Sequence, residues 1–301
     1  MPKIPQIIGS IIMAFIPVII WSRIYYKKSP EGRTLTLLTF FVGALAVFPI
    51  LIYKFMWQFF PWINAFRFAG DYSQDVIGFS KIVVLPLSVV ITFMIVGVIE
   101  ELMKFISVKV ADADEVKQID DAIEFFIIAA LGFSFTENIL YFYKIWVTQG
   151  VHNLLLPVVF RSSFSTFAHL LFSGVLGYYY GEAHFAKPIL QEEIRKNRRH
   201  WTIAIHKIFG LHKEKLFYQE RMLEGLLISI GLHAMFNIFL EMNLTFMIVP
   251  FLVGGYITLN YLFSKKESHK NYGKLLTHFR NHPDPKSGIF FKRSSLLKSV
   301  D

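Results

Sequence analysis

The sequence contains no cysteine. Disulfides and thiolate metal sites are therefore excluded, and any metal would have to rest on histidines and carboxylates. It contains no His-Glu-x-x-His pattern, so the usual helical zinc-protease signature is absent. There is no internal repeat and no inverted duplication of the kind many transporters carry. The N-terminus, Pro2-Lys3-Ile4, has a weak basic region and no small-residue cleavage site, so residues 4–22 read as a retained helix and not a removed signal peptide. Charge is scarce where the chain is most apolar: residues 4–22, 35–55 and 244–263 hold none except Lys54.

What the chain does have is apolar surface. Of its 301 residues 54% are hydrophobic and 32 are Phe, with a mean hydropathy of +0.46. A soluble globular domain does not have this composition; a polytopic membrane protein does. Apolar runs at about 4–22, 35–55, 82–106, 122–143, 160–181, 223–241 and 244–263 are each close to the ~20 residues that cross a hydrocarbon core. No water is present there to satisfy an open backbone, so the runs must be helical. The expected fold is all-α, with about seven transmembrane helices.

The net charge of +9 comes from connecting segments and the tail, which argues against a nucleic-acid partner. Arg23, Lys27, Lys28 and Arg33 follow the first span. Arg195, Lys196, Arg198, Arg199, Lys207, Lys213, Lys215 and Arg221 lie in a long insert at 182–222, and the tail from Ser264 is again basic. Alternating spans put all three groups on one side. Retention of Lys and Arg in the cytoplasm then places the N-terminus outside and the C-terminus inside. The expected organisation is a membrane domain over 1–263, with a motif-bearing core at 80–245, and a cytoplasmic tail over 264–301. Residues 200–209 set Trp201, Ile205 and Ile208 on one helical face, which suggests a helix lying in the membrane interface.

Four spans carry polar insertions. Glu100, Glu101 and Lys104 lie in the third; Glu100 and Lys104, four apart, share a helical face. Glu137 and Asn138 lie in the fourth, with Tyr141 one turn beyond Glu137. His169 lies in the fifth, and His233 with Asn237 in the sixth. An ionisable group at a helix centre is unfavourable by about 2.5–3.5 kcal/mol on insertion scales. Each insertion alone has an ordinary explanation: a structural ion cluster, a Glu137–Tyr141 hydrogen bond, a packed histidine. Four together in one membrane domain point to a shared site. Carboxylates, imidazoles and an amide can activate water and bind an oxyanion, or ligate a metal, or relay protons in a transporter. Helical rise puts His169 and His233 near the midplane, with Glu100 and Glu137 several Å to either side.

In order, Glu-Glu-x-x-Lys-Phe (100–105), Gly-Phe-x-x-x-Glu-Asn-x-x-Tyr (132–141), His-x-x-Phe-x-x-x-x-Gly (169–177) and His-x-x-x-Asn (233–237) resemble the PrsW family of intramembrane proteases. That family is related to the prenyl-protein (CAAX) proteases and the bacterial CPBP proteins. The resemblance covers about residues 80–245. It implies an integral membrane endopeptidase that cuts a membrane-anchored protein such as an anti-sigma factor. Carried over by motif, Glu100 is the general base, and His169, His233 and Asn237 position water or stabilise the oxyanion. Glu101, Lys104 and Glu137 support them, the last without a defined role. The family is often labelled metalloprotease. No metal is assigned or required by this reading; if an ion is used, Glu100, His169 and His233 would hold zinc. A proton-coupled transporter, or a partner-binding protein of the same fold without activity, are the alternatives.

Overall fold

The computed structural model of the chain describes residues 3–25, 33–79, 83–112, 116–195 and 212–265. Its helices are α1 (Ile4–Tyr25), α2 (Arg33–Leu45), α3 (Phe48–Met56), α4 (Phe66–Gly70), α5 (Leu87–Asp112), α6 (Ile119–Gln149), α7 (Leu155–Phe160), α8 (Thr166–His184), α9 (Ala186–Arg195), α10 (Lys213–Glu241) and α11 (Thr245–Lys265). A single π-helical turn, Arg161–Ser165, joins α7 to α8. Six stretches are long and apolar enough to cross a membrane: Ile4–Arg23, Thr34–Met56, Ile119–Gln149, Val151–His184, Lys213–Glu241 and Thr245–Leu262. The remaining expected span is α5. Its 26 residues reach ~39 Å, but Glu100, Glu101 and Lys104 lie near its middle, so no long stretch of it is free of them.

The all-α expectation holds, with two corrections in detail. The run at 35–55 is not one helix: it breaks between Leu45 and Phe48, where Pro49 has no N–H to return to the preceding turn. The run at 82–106 begins as a strand. Val76–Phe79 and Val83–Pro86 form an antiparallel hairpin, β1 and β2, with Val76 opposite Pro86, so α5 starts only at Leu87. The hairpin's β-branched residues suit strands. The expected interfacial helix at 200–209 and nearly all of the tail lie outside the described residues.

The core forms around α6. Asp121 caps its start, accepting hydrogen bonds from the backbone N–H groups of Lys117 and Gln118 at 3.0 and 3.1 Å, while Gly150 at φ 88° ends it. Such a cap stabilises a helix by ~1 kcal/mol. Small residues bring neighbours close. A Cβ on Gly132 would collide with the Phe40 carbonyl of α2, and one on Gly43 with the Ala129 carbonyl of α6. Small residues let membrane helices pack backbone to backbone, which lipid does not otherwise drive. α8 packs between α6 and α10, and α10 also packs on α5. Asn243, at φ 56°, closes the short link from α10 to α11; the Leu244 N–H donates to the Phe239 carbonyl at 2.8 Å, satisfying the helix end. With α5 packed in turn on α6, the four motif-bearing helices close a ring in which each packs on two of the others.

Candidate active site

α5 brings Glu101 and Lys104 into the interior, both fully buried. A Cβ on Gly97 would meet the Ile230 carbonyl at 2.9 Å, so α5 runs hard against α10 one turn before the glutamates. Lys104 Nζ lies 2.6 Å from Glu101 Oε1. The sequence reading paired Lys104 with Glu100; the structure pairs it with Glu101. Both pairs are close on a helix, and Glu101 is the carboxylate that points inward with Lys104. Ser229 Oγ donates to Glu101 Oε2 at 2.8 Å, and His233 Nδ1 lies 2.8 Å from Glu101 Oε1. A buried charge is tolerated when it is paired and its oxygens are hydrogen-bonded, and Glu101 is satisfied on both.

Glu100 differs. Its side chain keeps 16% exposure, and its Oε2 lies 3.5 Å from His233 Nε2. That oxygen is buried and has no hydrogen-bond partner. The carboxylate of Glu101 can only accept, so His233 carries a proton on Nδ1, and in the neutral ring Nε2 presents a lone pair. Two acceptors thus face one another across the site.

His169 bridges to α6. Its Nδ1 lies 3.0 Å from Lys104 Nζ, and its Nε2 lies 3.0 Å from Glu137 Oε2. An ammonium has no lone pair, so Lys104 donates and Nδ1 accepts. The ring proton is then on Nε2 and donates to Glu137. The two imidazoles meet edge to face with centroids 5.1 Å apart. The chain of contacts runs Glu100, His233, Glu101, Lys104, His169, Glu137 and crosses α5, α10, α8 and α6.

Glu137 was the member least accounted for by its sequence position, with Tyr141 as its candidate partner. Its partners are His169 and Arg161, the latter with Nη2 2.8 Å from Glu137 Oε2. Tyr141 instead lies under the Arg161 guanidinium, 4.6 Å from its carbon to the ring centroid. Arg161 Nε also donates to Asn138 Oδ1. Sequence reasoning missed Arg161 because it lies at the edge of a span. It missed Ser229 as well, although Ser229 is four residues before His233 and therefore on its face. Asn237 follows His233 by one turn and is half-buried. Among the described residues, no hydrogen bond ties it to this network.

Glu100, His169 and His233 can each bring one donor atom within 4.8 Å of the others. That set is of the kind zinc takes. Glu100 passes a closer test through its unpartnered oxygen. So does His233, whose other nitrogen is held by a carboxylate as in many metal sites. His169 does not: one nitrogen accepts from Lys104 and the other carries the proton given to Glu137. As arranged, the three residues present two ligating atoms, which is short of a three-ligand centre.

A family model described as "PrsW family intramembrane metalloprotease" matches residues 31–262. A curated relative, Protease PrsW of Geobacillus kaustophilus (strain HTA426), is 30% identical over 199 residues, spanning 65% of this chain and 72% of that protein. No solved structure gives a significant match.

Proposed function

The chain belongs to the PrsW family of intramembrane proteases, and from that membership we propose how its residues cut a peptide bond. The observation that carries the reading is the unpartnered Glu100 Oε2, 3.5 Å from the acceptor face of His233. A water donating one O–H to each satisfies both acceptors. Glu100 takes its proton as general base, and the oxygen attacks the scissile carbonyl. The C–N bond then breaks as the proton held by Glu100 passes to the leaving amine. Atoms and charge balance without an external reagent. Asn237, through its amide, is the donor for the oxyanion, and His169, whose Nε2–H is given to Glu137, lines the site beside His233. Glu101 and Lys104 hold the two imidazoles in opposite tautomers, one accepting and one donating.

Bound zinc would polarise the water and lower its pKa. The present tautomer of His169 does not supply its third ligand, and no step above passes through an ion. The substrate class is a membrane-anchored protein, cut in regulated proteolysis of the anti-sigma-factor kind. The orientation that fits the basic segments is N-terminus outside, with the 182–222 insert and the 264–301 tail cytoplasmic.

The test compares membrane-protein fragments in cells carrying the wild type and Glu100→Gln. The reading expects at least one fragment that depends on Glu100, with equal amounts of folded enzyme. Full fragment production by Glu100→Gln removes Glu100 from the role of base.

A further inference from the structure

Arg161 is a cation within a helical segment, and the mechanism above does not use it. It is largely buried, with 12% of its side chain exposed. It opens the π-helical turn before α8, a local widening found often at functional sites. α1 supports that turn, since Trp21 Nε1 donates to the Ser162 carbonyl at 2.8 Å. From the turn, the guanidinium spans one patch of α6. Nε donates to Asn138 Oδ1, Nη2 forms an ion pair with Glu137 Oε2 at 2.8 Å that is short of hydrogen-bond geometry, and the plane covers Tyr141. Asn138 is fully buried, and its amide reaches Thr166 Oγ1 at 3.3 Å. Thr166 also shares a 3.0 Å hydrogen bond with Ser134. His169 follows Thr166 by three residues, on the same side of α8.

The decisive detail is that one oxygen serves two partners. Glu137 Oε2 is 2.8 Å from Arg161 Nη2 and 3.0 Å from His169 Nε2. The Glu137 side chain is 32% exposed, so without the guanidinium it is free to turn toward its open side and leave His169.

We propose that Arg161 is a positioning residue, a fork that holds Glu137 on His169 and so gives the Nε2 proton set by Lys104 a fixed acceptor and the ring a fixed orientation. This rests on the reading that His169 is part of the protease site. Lysine cannot reproduce the fork, because it offers a point charge in place of two planar arms. A hydrophobic isostere removes both arms.

The experiment uses the full-length protein in detergent with 15N-labelled histidine. The His169 ring signals are assigned by their loss in His169→Gln. Wild type shows the Nε2–H tautomer. Arg161→Met keeps that tautomer but shows a shifted His169 Nε2 signal as its proton loses the Glu137 acceptor, with kcat on a single-span reporter lowered about tenfold or more and KM little changed. The reporter is taken from the membrane proteins cut in a Glu100-dependent manner. Arg161→Lys lies between the two. Should Arg161→Met fail to fold, Arg161→Gln keeps a donor for Asn138, lacks the charge on Glu137, and carries the same expectations. A neutral variant that keeps both the wild-type His169 Nε2 signal and the wild-type kcat overturns the proposal. That signal needs no proteolysis to be read, so an inactive wild type defeats the catalytic reading and leaves the Arg161 question decided on its own signal.

Discussion

At the residue scale, the two adjacent glutamates have opposite environments, and their variants should separate accordingly. Glu101 is bound by Lys104, His233 and Ser229. Removing one partner of such a buried pair leaves an uncompensated charge and costs about 3–5 kcal/mol. Lys104→Met is therefore expected to lower thermal stability in detergent strongly, because Glu101 loses its cation. Glu100 has an oxygen with nothing to lose. Glu100→Gln should abolish cleavage while destabilising far less than Lys104→Met, because no hydrogen bond to that oxygen is lost. Thermal unfolding of the two variants side by side checks both. Equal destabilisation by the two would show that the glutamates are a single structural unit.

At the element scale, the site depends on how closely helices approach. Gly97 lets α5 lie against the Ile230 carbonyl of α10, and the faces so apposed carry Glu100, Glu101, Ser229 and His233. Gly97→Val should push α5 away and lengthen the Glu100–His233 separation. Overpacking of this kind costs about 1–3 kcal/mol, and a displacement of ~1 Å at reacting groups can lower a rate about 100-fold. The expected result is loss of cleavage out of proportion to loss of folded protein. Gly132, where α2 meets α6, gives the contrasting variant. Gly132→Leu is expected to lower stability first and activity only in step with it. Cleavage measured per folded molecule distinguishes the two.

At the scale of the whole molecule, seven candidate helices are arranged so that four polar insertions meet. If the His169 tautomer is as its contacts require, cleavage should persist after treatment with a membrane-permeant chelator, and metal analysis should find no stoichiometric zinc. Inactivation by the chelator, reversed by zinc alone, would place His169 in a coordination sphere and require Lys104 to release it. Much of this organisation was legible in the chain. Apolar runs of about 20 residues specify membrane helices because the bilayer leaves the backbone no other partner. Ionisable residues in such runs mark a site because their isolated burial is unfavourable. Glu100, Glu101, Lys104, Glu137, His169, His233 and Asn237 were visible on that ground. Their pairing was not. A helix offers i+3 and i+4 neighbours alike, so only packing against α8 and α10 could decide that Lys104 serves Glu101 and leave Glu100 Oε2 without a hydrogen bond among the described residues. Glu137 lies 32 residues from His169 in the chain, and Arg161 lies at the margin of its span. They share one oxygen because α6 and α8 pack side by side, with a π turn aiming the guanidinium. Local periodicity and composition determined which helices form and which residues they carry. Contacts between distant segments, set by where small residues allow backbones to touch, decided which of those residues became partners.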